Sequence, residues 1–379
     1  MNPHKSQRVV IVAGEESGDQ HAAELVRQLK LTHPNLALSG IGGQHMLSAG
    51  VELISDLARY GVTGVTAVLR YFFIIRRAFK AIQAHLLAHK PDLLILVDYP
   101  GFNLRLAKFA KQNGIRVLYY ISPQIWAWKA GRIRTIQHCV DHMAVILPFE
   151  KEIYTNAGVA ASFVGHPLMH RPPSTTTNQK ELGLPDNKRL IAMLPGSRTN
   201  EIEHHMPILV ETIQRLMIQN DDLHFVIPVA GTLNPDTIAA YFKSLQLPIT
   251  LVQGHAVEVA SCCECIIVAS GTASLECALL EKPMCIIYKG SWLSYFLLCC
   301  FIKIQYLGLC NILQNSMIVP ELLQYDLNAS ELEKLTLELL NNDSLSQSMK
   351  KNLHELKQSL SNEQSDCTLS ELVLRKLEC

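Results

Sequence analysis

The sequence has no excess of either charge, since its 379 residues carry 34 Lys and Arg against 34 Asp and Glu. The lack of a basic excess argues against a nucleic-acid-binding protein, which usually shows one. Long hydrophobic runs are also missing. The nearest approach to a membrane span, 292–309, is interrupted by Lys303 and Gln305, and its apolar run is shorter than the ~18 residues that a span needs.

A disulfide framework is missing as well, because the 11 cysteines show no regular spacing. The opening residues, "MNPHKSQRVV", do not read as a signal peptide. Both features favour a reducing, cytoplasmic compartment. Cys262 and Cys265 form a single C-x-x-C pair with no second pair or histidine cluster, so we expect no metal site.

Short apolar runs alternate with helical patterns along the first half of the chain. The runs "RVVIVAG", "DLLILVD" and "RVLYYIS" are continuous and rich in β-branched residues, which is typical of strands in a buried parallel sheet. The segment 166–189 is rich in Pro, Thr and Asn and has no apolar period, so it is interpreted as a linker.

The second half repeats the alternation with "RLIAMLPGS", "LHFVIPVAG", "CIIVASG" and a helix predicted from about 204 to 219. Two consecutive βαβ series predict an α/β protein with two doubly wound domains. The expected divisions are an N-terminal domain at 1–170, a linker at 171–189, a C-terminal domain at 190–350 and a helical tail at 351–379. The tail is expected to pack either on the N-terminal domain or on a partner chain.

The stretch "VVIVAGEESGDQHAAELVRQL", 9–29, has the strand, glycine turn and helix of a nucleotide-binding βα unit. Its turn, however, carries Glu15, Glu16 and Asp19. Three carboxylates would repel phosphate. A turn that binds phosphate is therefore expected elsewhere in the chain.

A better phosphate turn lies in "LPGSRTNEIEHH", 194–205. Pro195 and Gly196 form the predicted turn, Ser197 is the expected helix cap, and Arg198 opens the next helix. Backbone N–H groups at a helix N-terminus and an arginine fork suit a pyrophosphate. The alternative is an ordinary capped turn with a surface arginine.

The stretch "IIVASGTASLECALLEKPM", 266–284, repeats this geometry. Its strand is predicted to end at Ser270, Gly271 and Thr272, and Glu276 lies one turn into the helix, where it could accept both hydroxyls of a ribose. A capped helix with a partly satisfied glutamate is the alternative. Two such turns in one domain favour a single nucleotide between them.

Three further motifs leave two interpretations open. Asp98 ends the strand in "PDLLILVDYPGFN" and is either a general base or a turn cap. The tryptophans of "ISPQIWAWKAGRIR" are either a substrate wall or core aromatics. Arg70, Arg76, Arg77 and Lys80 share one third of a helical wheel in 65–82, which fits a helix on a sheet or a segment that meets anionic lipid.

Histidines are less informative. A histidine after a strand, such as His166 or His170, is more often structural. His204 and His205 are predicted on a helix surface.

Taken together, "VAGEESGDQHAA", "VDYPGFN", "SPQIWAWKAGRI", "LPFEKEIY", "VGHPL", "LPGSRTNEI" and "ASGTASLE" resemble the lipid-A-disaccharide synthase family in order and spacing, from Val9 to Gln324. The resemblance implies a GT-B glycosyltransferase with two domains facing across a cleft. The family joins UDP-2,3-diacylglucosamine to 2,3-diacylglucosamine 1-phosphate with inversion, giving a β(1→6) disaccharide 1-phosphate and UDP. It needs no metal or other cofactor.

The resemblance also implies roles for individual residues. Asp98 is the expected base for the acceptor hydroxyl. The expected donor contacts are Gly196, Ser197, Arg198, Ser270, Gly271, Thr272, Glu276 and Asn311, and the expected acceptor contacts are Glu15, Ser17, Asp19, Asn103 and Trp126.

Both substrates of the family carry acyl chains, so the resemblance implies a peripheral enzyme on the cytoplasmic face of a Gram-negative inner membrane. Anionic lipid is the expected partner there, nucleic acid is not, and the charged tail is compatible with a homodimer. The expected membrane contacts are Val68, Arg70, Phe72, Ile75, Arg76, Arg77 and Lys80.

Two segments depart from the family pattern. "GVTGVTAVLRYFF" lacks the family's glutamate, and in "LCNILQNSM", 309–317, Asn311 stays while an Ala-Gly pair and an acid are lost. Alternative functions therefore remain open. They are another UDP-sugar GT-B enzyme (a peptidoglycan-type N-acetylglucosaminyltransferase or a UDP-sugar epimerase) and an inactive homologue that binds a UDP-sugar or a lipid.

Overall fold

The structure is a computed structural model of the chain, and the residues that it describes are 7–60, 71–123, 125–126, 131–170, 179–231, 233–290, 305–361 and 364–378. The chain divides into two compact units. The first holds Met1–Met169 together with Leu360–Cys379, and the second holds His170–Ser359. No helix among the described residues is long and apolar enough to cross a bilayer.

In the described part of the first unit, seven strands form one parallel sheet in the order β3-β2-β1-β4-β5-β6-β7. The strands are β1 Arg8–Ala13, β2 Ala37–Gly42, β3 Glu52–Asp56, β4 Leu93–Val97, β5 Val117–Tyr120, β6 His142–Val145 and β7 Ala161–Phe163. The helices are α1 Glu16–Thr32, α2 Gln44–Ser48, α3 Phe72–His89, α4 Pro100–Gln112, α5 Arg132–Cys139 and α6 Pro148–Asn156, with short 3-10 turns at Ala58–Tyr60 and Pro167–His170.

The continuous apolar runs explain the sheet. Strands β1 and β4 are buried on both faces, so every second residue enters a different core layer. Val10 and Val12 pack with α3 and α4, whereas Val9 and Ile11 pack with α1. Because both faces are covered by helices, the sheet needs no polar alternation.

The described residues of the second unit form a six-stranded parallel sheet in the order β10-β9-β8-β11-β12-β13. The strands are β8 Arg189–Leu194, β9 Leu223–Val229, β10 Ile249–Gln253, β11 Cys265–Ala269, β12 Met284–Tyr288 and β13 Glu321–Leu323. The helices are α7 Thr199–Gln219, α8 Pro235–Ala239, α9 Ala256–Cys262, α10 Thr272–Ala278, α11 Leu309–Gln314, α12 Ala329–Asn341 and α13 Asp343–Ser359, with a 3-10 turn at Ala240–Phe242.

Two expected boundaries are corrected. Helix α7 begins at Thr199, not at about 204, because Glu201 completes a capping box with Arg198. The tail begins at Leu360, not at residue 351, because α13 stays with the second unit through Ser359.

The last helix, α14 Leu369–Glu378, belongs to the first unit and packs on α1. Leu372, Val373 and Leu377 are buried in the same core layer as Leu25 and Leu29 of α1. Asp366, just before the helix, accepts the Phe163 N–H at 2.8 Å, so β7 fixes the entry of the tail. The fold of the first unit therefore depends on residues from both ends of the chain.

This packing predicts the effect of Val373→Asp. An unpaired charge in a buried site costs about 3–5 kcal/mol, so we expect the free energy of unfolding in urea to fall by about that much. The matched control is Arg375→Asp on the exposed face of the same helix, which should cost far less. Equal losses for the two variants would contradict the burial of Val373 as the source of the effect.

Candidate active site

In the sheet of the first unit, the order of the strands reverses between β1 and β4. β1 lies between β2 and β4, so the chain leaves β1 in one direction and β4 in the other. Ala13 and Val97, the last residues of these strands, are paired in register, so Glu15 and Asp98 both follow the same edge of the sheet. Ligands of open α/β sheets bind at such a switch point.

Asp98 lies in a strained turn. Asp98 and Tyr99 have φ values of 45° and 48°, a left-handed conformation that is rare for residues other than glycine. The Asp98 carbonyl accepts hydrogen bonds from Asn103 Nδ2 at 2.7 Å and from the Tyr119 hydroxyl at 2.6 Å. These two side chains hold the turn, and α4 begins at once with Pro100.

The carboxyl groups of Asp98 and Glu15 both have raised pKa values. Burial raises the pKa of Asp98, and the Tyr99 backbone N–H partly offsets this. Burial and the Asp98 charge together raise the pKa of Glu15 to about 7. Glu15 is therefore partly protonated near neutral pH, and it lies beside a second carboxyl group whose pKa is also raised.

The glycine in the turn after β1, Gly14, is required by the packing of a side chain and not by phosphate binding. A Cβ atom at residue 14 would lie 2.1 Å from the Tyr99 ring, so only glycine lets the turn after β1 pack against this side chain. The glycine of the acidic loop thus serves the approach of Tyr99.

A second buried carboxyl group lies farther along the same sheet. Glu150 Oε1 accepts hydrogen bonds from Ser122 Oγ at 2.6 Å and from Trp126 Nε1 at 3.1 Å. Its Oε2 atom has no partner among the described residues, and burial raises the pKa of Glu150 to about 7. Trp126 is thus fixed by Glu150 and by edge-on contact with Phe149.

In the second unit, an open cavity of about 340 Å³ lies where β8, β9, β10 and β11 end. This volume is in the range of small-ligand pockets. β8 and β11 are neighbours at the switch point of this sheet, and their turns supply the predicted residues. The lining includes Gly196, Ser197, Arg198, Ser270, Gly271 and Thr272. Glu276 and Asn311 are not part of this lining.

The turn after β8 is organised by a residue that the sequence interpretation did not use, Glu201. Its Oε2 accepts the N–H groups of Ser197 at 2.9 Å and Arg198 at 3.3 Å, and its Oε1 lies 3.0 Å from the Arg198 guanidinium. Arg198, not Ser197, is the helix cap. Gly196 has φ 119°, and a Cβ there would lie 2.4 Å from Glu201. The N–H groups of Ser197 and Arg198 are therefore already occupied, whereas the Arg198 side chain is exposed.

Known proteins resemble this chain along almost its whole length. The family model for lipid-A-disaccharide synthetase matches residues 9–377. The chain belongs to this family. Lipid-A-disaccharide synthase 1 of Legionella pneumophila strain Philadelphia 1 is 57% identical over 376 residues and 98% of each chain. The lipid-A-disaccharide synthase of Geobacter sulfurreducens is 43% identical over 335 residues, 88% of this chain and 87% of the relative.

Solved structures confirm the expected GT-B fold. The glycotransferase of kitacinnamycin has a TM-score of 0.65 at 11% identity, with 98% of this chain and 99% of that chain covered. The S. aureus MnaA–UDP co-structure has a TM-score of 0.62 at 12% identity, with 98% and 96% covered. At these identities the likeness shows the fold alone.

The three acids of the opening loop have separate partners. Glu15 lies beside Asp98, and Glu16 Oε1 lies 2.9 Å from His45 Nε2. Asp19 is fully buried, and its two oxygens accept the N–H groups of Gly43, His45 and Met46 at 2.7, 2.9 and 3.1 Å. The expected substrate contact of Asp19 is therefore corrected to a cap on helix α2.

Two other expected contacts are also structural. Asn103 is fully buried and donates to the carbonyls of Val97 and Asp98, so it stabilises the Asp98 turn. Asn311 is fully buried and exchanges hydrogen bonds with the backbone of Val319, at 2.7 and 2.9 Å. Both corrections have the same cause, since a buried amide satisfies the backbone around it. Ser17 is exposed on α1 and stays a predicted acceptor contact.

The basic segment is described only in part. Val68 and Arg70 lie outside the described residues. Phe72, Arg76, Arg77 and Lys80 are exposed on α3, but Ile75 packs partly against the core and is a poor membrane contact. Phe73, which the prediction did not include, is 79% exposed and contacts Phe72 edge-on, with ring centroids 5.7 Å apart.

Sequence reasoning missed several polar residues near these turns. His205 is buried rather than on the helix surface, and His255 lines the cavity after β10. A capping-box spacing from Arg198 was the signal for Glu201. The partners of Glu150 and Tyr119 are distant in sequence, so no local pattern indicated them.

The buried Glu150 predicts a pH dependence of stability. Its folded pKa is raised, so its proton stabilises the fold fully below about pH 4.5, and this stability is lost as the pH rises through about 7. Glu150→Gln keeps the acceptor for Ser122 and Trp126 but cannot lose a proton. Urea unfolding between pH 4.5 and 8 should show the wild type losing stability relative to this variant as the pH rises.

The control is Glu152→Gln, the same change at an exposed position of α6. It should follow the wild-type pH dependence. Parallel curves for the wild type and Glu150→Gln would contradict the assignment.

Proposed function

We propose that this protein joins UDP-2,3-diacylglucosamine to 2,3-diacylglucosamine 1-phosphate, forming the β(1→6) disaccharide 1-phosphate and UDP. The observation that carries the proposal is the near-complete match to relatives named lipid-A-disaccharide synthase. The retained Asp98, Arg198 and Ser270–Thr272 turn support an active enzyme over an inactive homologue.

In the proposed reaction, the oxygen of the acceptor's 6-hydroxyl group attacks the anomeric carbon of the donor. The Asp98 carboxylate takes the proton of that hydroxyl group as the new bond forms. The bond from that carbon to the UDP oxygen breaks, and UDP leaves with the bonding electrons. Burial raises the pKa of Asp98, which makes it a stronger base than an exposed aspartate. One displacement inverts the anomeric centre.

The donor is assigned to the cavity of the second unit. Its diphosphate is proposed to contact the Arg198 guanidinium and the Ser270–Thr272 turn, where a fixed positive charge stabilises the charge that develops on UDP. Glu276 is proposed to bind the ribose. Glu15, Ser17 and Trp126 are proposed on the acceptor side.

Structural neighbours described as UDP-N-acetylglucosamine 2-epimerases share the fold at 14–15% identity. This likeness carries no assignment of activity. Substrate choice separates the alternatives, because an epimerase would act on water-soluble UDP-N-acetylglucosamine without a lipid acceptor.

The test is turnover in detergent micelles with both acylated substrates, with UDP and disaccharide followed by mass spectrometry. Asp98→Asn should lower kcat about 100-fold or more, because a general base contributes roughly 10²–10⁴. The control is Asp221→Asn, the same change at an exposed position, which should keep wild-type turnover. Wild-type protein that binds UDP but forms no disaccharide over several acyl lengths would contradict the function, and an active Asp98→Asn would contradict the assigned base.

Peripheral attachment to the inner membrane is part of the proposal. The Phe72–Phe73 pair is proposed to enter the headgroup region, with Arg76, Arg77 and Lys80 facing anionic lipid. The inner face of α3, with Ala78, Ile82 and Leu86, remains in the protein core. The exposed end of the helix can therefore leave water without unfolding the domain.

The double variant Phe72→Ser/Phe73→Ser should weaken co-sedimentation with vesicles of phosphatidylglycerol and phosphatidylethanolamine about tenfold or more, since each buried aromatic side chain contributes about 1.5–3 kcal/mol. Leu31→Ser is the control, because Leu31 is 85% exposed on α1 and outside this segment. Unchanged sedimentation of the folded double variant, or an equal loss with Leu31→Ser, would contradict the membrane assignment.

A further inference from the structure

His205 uses both of its ring nitrogens on backbone groups in the interior of the second unit. Nδ1 lies 2.6 Å from the Pro195 carbonyl oxygen, and Nε2 lies 2.9 Å from the Lys289 backbone nitrogen. A carbonyl only accepts and an amide only donates, so Nδ1 carries the proton and Nε2 accepts. Burial lowers the pKa of His205, which keeps this neutral form.

The two backbone groups belong to residues that directly follow the two strands beside β11. Pro195 follows β8, and Lys289 follows β12. These strands are the two neighbours of β11, whose Ser270–Thr272 turn lines the cavity. His205 thus links the backbone on one side of that turn to the backbone on the other.

The neighbours of His205 are apolar or aromatic. Ile202, Met206 and Leu209 are the other buried residues on this part of α7, and the imidazole meets the Tyr288 ring edge-on, with centroids 6.4 Å apart. A buried imidazole costs free energy unless its polar atoms are paired, whereas a leucine would fill the site without that requirement. The two hydrogen bonds are what a leucine at this position could not make.

We propose that His205 is a positioning residue for the donor diphosphate. By holding the Pro195 carbonyl, it sets the turn so that Gly196–Arg198 line the cavity next to Ser270–Thr272. The inference rests on the proposed function, in which this cavity takes a UDP-sugar. The affinity for the diphosphate then depends on His205, although this side chain does not line the cavity.

The test measures UDP affinity by titration calorimetry on the full chain, together with the free energy of unfolding. His205→Leu removes both hydrogen bonds and should weaken UDP binding about tenfold, which corresponds to ~1.4 kcal/mol. His205→Asn places an amide near the Nδ1 position and should stay within about threefold of the wild type, whereas His205→Gln reaches the Nε2 position and should weaken binding as leucine does.

The matched control is Thr212→Val, two turns farther along α7. Thr212 is buried and donates to the Ile208 carbonyl at 2.8 Å, so its loss lowers stability without touching the turn. UDP affinity should be unchanged in this variant. If Thr212→Val weakens UDP binding as much as His205→Leu, the effect is general destabilisation and the positioning role is wrong.

The outcomes separate the two proposals. Wild-type protein that takes up no UDP overturns the proposed function and this inference with it. Wild-type binding with unchanged affinity in folded His205→Leu overturns the inference alone. If His205→Leu does not fold, the asparagine and glutamine variants decide, and equal affinity in those two contradicts the special role of the Pro195 contact.

Discussion

The order of parallel strands is the constraint on which both candidate sites depend. In each sheet the first strand is interior, β1 between β2 and β4 and β8 between β9 and β11, so the turns diverge from one point at the carboxyl edge. The first unit places Glu15 and Asp98 there, and the second places a glycine turn, hydroxyl groups and Arg198. One architecture thus supplies a site with acid–base character and a site suited to phosphate.

Buried polar side chains keep these turns in shape. Two consecutive left-handed residues, Asp98 and Tyr99, cost about 1–3 kcal/mol each, and such strain persists only where the surroundings hold it. Asn103 and Tyr119 do this for the first unit. In the second unit, Glu201 accepts the Ser197 N–H and His205 donates to the Pro195 carbonyl, so both side chains hold the turn after β8.

The sequence was sufficient for the sheets and for the edge at which the sites lie. Continuous apolar runs such as β4 and β11 are unambiguous, and the residues that follow them lie at one edge by necessity. The roles of Asp19, Asn103 and Asn311 were not predictable, because nothing in their local pattern distinguishes a contact to substrate from a bond to buried backbone. Asp19, for example, caps a helix that begins at Gln44. His205 was wrongly predicted on the helix surface, because its backbone partners at Pro195 and Lys289 lie outside the helix and leave no signal in the local pattern.

A crystal structure with UDP bound would show whether the turns after β8 and β11 hold a nucleoside diphosphate. We expect the diphosphate in the cavity lined by Arg198 and Ser270–Thr272, with phosphate oxygens about 3 Å from the Arg198 guanidinium. The His205 contact to Pro195 should stay intact. UDP bound instead at the carboxyl pair of the first unit, or diphosphate density remote from Arg198, would contradict the assignment of the donor to this cavity.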